Sequence, residues 1–194
     1  MTIERRAAEP ASLVNDDGAV RVRGHAAVFN QEADIVGYFR EVIRPGAFRI
    51  SIGRDDVPFL IEHFGLPLAR NTSGTLKLSE DERGLLVESA LEGGDPDVQR
   101  IVPKMQRGDL NKMSFGFQAV RQEWDESGPV PLRILHEVKL FDVSIVTSPA
   151  YDGTDIGMRS LQDWRDAHRI TNGAAPIAAR LRMRHAMRQR GMAV

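Results

Sequence analysis

No cysteine occurs in the sequence, which excludes disulfides, thiolate zinc sites and a cysteine nucleophile. Any covalent chemistry must use another group. Long apolar runs are missing as well. The start, "MTIERRAAEPASLVNDDG", has no apolar stretch of a secretory signal, and no later segment approaches the roughly 20 apolar residues of a membrane span. A soluble protein made in a cytoplasm, with no membrane partner, is expected, and the sequon Asn71-Thr72-Ser73 is then accidental. A glycine-rich phosphate loop and the G-x-S-x-G elbow of α/β-hydrolases are also absent, since Lys112 stands where that elbow needs its first glycine. "HEVKL" opens like a zinc helix but carries Leu140 in place of the second histidine. No cofactor and no metal are expected. One histidine-carboxylate alternative, His136 and Glu137 facing Glu62 and His63, has no spacing to support it.

What is present fits one ordinary domain with a tail: 194 residues, 42% of them hydrophobic. The net charge of −1 conceals an asymmetry. Residues 1–158 carry 18 Lys/Arg against 25 Asp/Glu, whereas 159–194 carry eight Arg against two Asp. A basic tail can bind nucleic acid, dock on an acidic surface or form a solvated helix. The last two readings are preferred, so nucleic acid is not an expected partner.

Residues 1–18 read as an irregular arm, 19–158 as the folded body and 159–194 as a helical tail interrupted by "TNGAAP". In the body, "AVRVRGHAAVFN" alternates in strand fashion with Gly24 as a bulge, and "DIVGYFREVI" is a second extended run. "DVPFLIEHF" is a short buried strand ending at His63, and "SEDERG" joins two more strands. "DPDVQRIVPKMQRGDL" is helical, with Asp95 as cap, Pro96 first inside, Gly108 as stop and Pro103 as a kink or early end. "LNKMSFGFQAV", "LRILHEV" and "KLFDVSIV" return to strands. Six or seven antiparallel strands with few helices suggest a closed or nearly closed β-barrel, an α+β, mainly β fold.

Within "KLFDVSIV", strand alternation puts Phe141, Val143 and Ile145 on one face and Leu140, Asp142, Ser144 and Val146 on the other. Asp142 thus sits among apolar neighbours, and a buried carboxylate costs several kcal/mol unless donors or a cation meet it. "KMSFGFQ" puts Met113, Phe115 and Phe117 on the core side and leaves Ser114 beside the open space of Gly116. On its own the pair reads first as small residues at a barrel corner. His63 on its own reads first as a satisfied structural histidine. Taken together, His63, Ser114 and Asp142 have the residue types of a general base, a nucleophile and an orienting carboxylate.

In order along the chain, "GHAAVFN", "VIRPGAF", "FLIEHF", "ARNTSGTLKLSEDERGLLVE", "MSFGFQ" and "LFDVSIVTSPAY" resemble the prohead maturation proteases of tailed bacteriophages (caudoviruses), distant relatives of herpesvirus assemblins. The resemblance covers Gly24 to Thr154. It implies an assemblin-like barrel with surrounding helices and a serine endopeptidase whose base, nucleophile and third member are His63, Ser114 and Asp142. It further implies the major capsid protein with its scaffolding segment as substrate, self-cleavage, a homodimer or higher oligomer, and action inside the immature capsid in the bacterial host cytoplasm. A non-enzymatic capsid scaffold or assembly protein that keeps the fold is the alternative.

Overall fold

The computed structural model describes residues 3–16, 19–35, 37–147, 159 and 161–167. The chain divides into two units, Met1–Thr154 and Asp155–Val194. In the second unit residue 159 and residues 161–167 are helical. The expected second helix of the tail and the "TNGAAP" stretch before it lie outside the described residues.

The first unit contains, in chain order, β1 (Glu4–Pro10), β2 (Ser12–Asp16), β3 (Ala19–Val28), β4 (Ala33–Ile35), β5 (Phe39–Ile43), α1 (Arg49–Arg54), β6 (Pro58–Ile61), β7 (Phe64–Arg70), β8 (Leu76–Glu80), β9 (Gly84–Glu92), α2 (Pro96–Arg107), β10 (Lys112–Asp125) and β11 (Leu132–Val146). The larger sheet runs β1-β10-β11-β5-β4, with β6 also on β11 and β7 on β6; the smaller runs β2-β3-β9-β8. Both sheets turn their alternating apolar faces into one core, where Val22, Leu85 and Val87 of the smaller sheet join Met113, Phe115, Phe117 and Val143 of the larger. Gly24 marks a close approach, because a Cβ there would lie 2.7 Å from Met113 Sδ and 3.0 Å from Ala11 Cα. The register slip in β3 falls between His25 and Ala27 instead of at Gly24.

The helix over 96–107 follows its sequence signals closely. Asp95 accepts the Asp97 N–H at 2.7 Å, Val98, Ile101 and Met105 are buried, and Gly108 ends the helix at φ 82°. It runs through Pro103 without ending there. "DIVGYFREVI" is a hairpin of β4 and β5 instead of one strand, its turn tied by the Gly37 N–H on Asp34 Oδ1. "LRILHEV" and "KLFDVSIV" form one strand, β11.

Two expectations need correction. The N-terminal arm is not irregular, because β1 pairs with β10 and β2 with β3. The larger sheet is mixed: β11 lies parallel to β5 at Leu132–Leu135 and parallel to β6 at Val143–Ile145. Among the described residues the pairings form two sheets around a shared core, and none of them closes a barrel.

β1 escapes a period-two reading because its inward side chains are charged. Arg133 is 1% exposed. Its guanidinium donates to both oxygens of Glu4, to Glu41 Oε2 at 3.0 Å and to Gln122 Oε1 at 2.6 Å. Arg6 donates to Glu41 Oε1 at 2.8 Å and to Glu4 Oε2 at 3.1 Å. Two arginines and two glutamates therefore neutralise one another inside the sheet edge. Burial works against the Arg133 charge, but its hydrogen bonding to Glu4 and the charges of Glu41 and Glu4 outweigh it and hold the pKa above its ordinary value.

Arg133→Met should therefore lower stability by about 3–5 kcal/mol, because it leaves two buried carboxylates sharing one cation. Glu88→Ala, which removes the exposed ion pair with Arg23, should cost less than about 1 kcal/mol. Urea unfolding of both variants checks this, and equal midpoints would contradict it.

Candidate active site

Ser114 is positioned by the alternation of β10. Met113, Phe115 and Phe117 are buried in the core, so Ser114 and Gly116 share the opposite face. Across from them on β11 stand Ser144 and Asp142, since Ser114 pairs with Ser144 and Gly116 with Asp142. A Cβ at Gly116 would overlap Asp142 Oδ2. The carboxylate thus fills the space that the missing side chain leaves.

Strict alternation would put Leu140 on the same face as Asp142, and the structure does not. Gly116 pairs with Asp142 and Phe117 with Leu140, so Phe141 is an extra, bulged residue. The bulge turns Leu140 into the core beside Val143 and Ile145 and leaves Asp142 and Ser144 on the site face. Phe141 is only partly buried, with Lys139 Nζ 5.3 Å from its ring centre.

His63 arrives by a different route. β6 runs parallel to β11, with Phe59 opposite Val143 and Ile61 opposite Ile145, and the chain then reverses at Glu62 and His63. His63 is therefore a turn residue and not the end of a strand. Both residues are left-handed, at φ 51° and 59°, a conformation that non-glycine residues adopt only when the surroundings hold them. Here the Glu62 N–H donates to the Ile145 carbonyl at 3.0 Å and the Thr147 N–H donates to Glu62 Oε1 at 2.8 Å. The reversal points the imidazole back over β11 and β10.

The three candidates form one hydrogen-bonded row. His63 Nδ1 lies 2.6 Å from Asp142 Oδ1 and His63 Nε2 lies 2.7 Å from Ser114 Oγ. With the Nδ1 proton on the carboxylate side, Nε2 is free to accept the Ser114 hydroxyl proton. The His63 and Asp142 side chains are 4% and 10% exposed, and in so dry a setting a carboxylate has few other partners. Sequence reasoning missed Ser144 as part of the row. Its hydroxyl donates to Asp142 Oδ1 at 2.8 Å and lies 3.2 Å from His63 Nδ1. The signal for it was its place two residues from Asp142 on the same strand.

The other two described histidines, His25 and His136, do not join this group. His136 Nε2 is 3.3 Å from Glu123 Oε2, and among the described residues no three His, Cys, Asp or Glu side chains gather to hold a metal. His25 bonds Asp81 at 2.9 Å. That bond, with help from the Gly84 and Arg83 amides, holds the Asp81 carboxyl below its usual range. His168 and His185 lie outside the described residues. No described helix is long and apolar enough to cross a membrane.

A family model for the caudovirus prohead serine protease matches residues 2–166. The chain is 29% identical over 169 residues to the prohead protease of Enterobacteria phage HK97, an alignment covering 78% of this chain and 70% of that protein. No solved structure matches it.

Ser144→Ala removes a donor to Asp142 and should slow the reaction of Ser114 with a fluorophosphonate several-fold, for about 1 kcal/mol of lost orientation. Ser144→Thr, which keeps the hydroxyl, should restore most of the rate. An unchanged rate in Ser144→Ala would show that Ser144 does not position the carboxylate.

Proposed function

Because the chain belongs to the caudovirus prohead serine protease family, we propose that Ser114 is the nucleophile, His63 the general base and Asp142 the orienting carboxylate of its peptide-bond hydrolysis. The protein is a serine protease of capsid maturation. The observation that carries the residue assignment is the continuous row from Ser114 Oγ through both imidazole nitrogens to Asp142, with separations of 2.7 and 2.6 Å.

The chemistry follows from that row. His63 Nε2 takes the Ser114 proton as Oγ bonds to the scissile carbonyl carbon, and Asp142 stabilises the resulting imidazolium without itself being protonated. The imidazolium then gives the proton to the leaving amine as the C–N bond breaks. Water, activated by the same histidine, releases the acyl group and restores Ser114.

We infer that the substrate is the major capsid protein, cut to remove its scaffolding segment, that the enzyme also cuts itself, and that it works inside the prohead as a homodimer or larger assembly. The assemblin-like barrel belongs to the same proposal, with the two sheets as its walls. The basic segment 159–194 is read as a separate extension that docks on an acidic partner surface.

Co-expression with the capsid gene and intact mass measurement tests the assignment. Ser114→Ala should leave the capsid protein at full mass, and processing by that variant would refute it. Asp142→Asn should cost up to about 10⁴-fold in turnover through the wrong imidazole tautomer, whereas Asp142→Glu should keep measurable activity.

A further inference from the structure

Ser114 has its base in place but no room for a substrate. It is fully buried, and the chain beside it is β1. Among the described residues β1 is the last strand of the larger sheet and pairs there with β10 alone. It runs antiparallel to the nucleophile strand with Ala7 opposite Ser114 and Arg6 opposite Phe115. The Arg6 carbonyl oxygen accepts from Ser114 Oγ at 2.7 Å, the same separation as from His63 Nε2. A hydroxyl has one proton and serves one acceptor at a time. Ile3 lies over the other open position, with its Cγ2 3.3 Å from where a Gly116 Cβ would be.

A strand added along a sheet, with a peptide carbonyl against the nucleophile, is how an extended peptide is held by main-chain pairing. The side chains of β1 add a second feature. Arg6 forks onto Glu41, Nε to Oε1 at 2.8 Å and Nη2 to Oε2 at 3.2 Å, with its guanidinium carbon 5.5 Å from the centre of the Phe117 ring. Glu4, on the same face, meets Arg133. Glu41 and Arg133 themselves lie 3.0 Å apart. They remain paired if β1 withdraws, so the emptied groove would hold no lone buried charge.

We propose that β1 stands in the substrate's place. The groove along β10 receives an extended peptide whose residue in the Arg6 position presents its carbonyl to Ser114, and Glu41 selects a basic side chain there, with Arg133 favouring an acidic residue two positions earlier. This rests on Ser114 being the nucleophile. A tethered strand competes at a high effective concentration, so the full chain is slow toward added peptides until β1 is loosened.

The test uses the full-length chain, a fluorophosphonate whose adduct is located by tandem mass spectrometry, and quenched peptides Ala-Glu-Ala-Xaa-Ala-Ala with Xaa as Arg, Lys, Gln or Glu. Arg6→Ala should speed labelling of Ser114 about tenfold or more by shifting the population toward the uncovered site. In that background the Arg and Lys peptides should be cut at least about tenfold faster than the Gln peptide, because Gln brings no charge to the place where Arg6 bonds Glu41, and only the Arg133 contact then remains on that carboxylate. Adding Glu41→Gln should erase this preference. Glu4→Gln, which keeps the Arg6 fork and loosens the strand less, gives the same reading with a smaller increase if Arg6→Ala does not fold. Labelling no faster than wild type in the folded variant, or equal cutting of Arg and Gln peptides, would overturn the proposal. Absence of any adduct at Ser114 in every form would instead refute the nucleophile assignment, and this inference with it.

Discussion

A carboxylate placed among apolar strands must be met by donors or the sheet cannot close around it. The strand bearing Asp142 has Leu140, Val143 and Ile145 packed in the core, and the Asp142 side chain keeps only a tenth of its exposure. Desolvation on that scale costs several kcal/mol, and only an organised set of donors offsets it. His63 and Ser144 are that set. Much of the local architecture serves to deliver them: the bulge at Phe141 aims Asp142 out of the core, Gly116 leaves the carboxylate space, and the parallel pairing of β6 with β11 brings the left-handed turn at His63 within reach. The imidazole so held presents its other nitrogen to Ser114. The requirement that settles Asp142 thereby orders a base beside a hydroxyl.

The same constraint operates a second time at the sheet edge, with a different solution. Glu4, Arg6, Glu41 and Arg133 are each almost wholly buried, and they balance charge for charge. A buried network of this kind contributes little net stability compared with apolar packing, but it specifies which strand belongs beside β10 and in which register. Glu4 and Arg6 on one strand match Arg133 and Glu41 on the body, and a one-residue slip would turn both charged side chains to the wrong face. The two polar islands are joined through β1, because Arg6 gives its side chain to one and its carbonyl to the other.

How much of this could be read from residues alone follows from which forces were local. The stripe of Met113, Phe115 and Phe117 exposed Ser114 by simple alternation, and the misfit of Asp142 pointed to a distant partner. The helix over 96–107 was marked by its own Asp95, Pro96 and Gly108. What stayed hidden depended on pairings far apart in sequence. Parallel neighbours for β11 leave no periodic trace that antiparallel ones would not. The Phe141 bulge is invisible because an extra residue in a strand of Leu, Phe and Val changes no composition. β1 looked irregular because its inward positions are Glu4 and Arg6, whose partners Arg133 and Glu41 lie 129 and 35 residues downstream in other strands. Ser144 was on the right face but had no chemistry assigned until Asp142 and His63 were seen to share it.

The buried Asp142 carboxylate should hold the His63 ring proton on Nδ1, leaving Nε2 to accept from Ser114. Nitrogen-15 NMR of the histidine-labelled protein near neutral pH reads this directly. A protonated, strongly downfield Nδ1–H signal from His63 and an unprotonated Nε2 are expected, and the Nδ1 proton signal should change when Asp142 is replaced by Asn. A His63 ring carrying its proton on Nε2, or an Nδ1 resonance indifferent to Asp142, would contradict it.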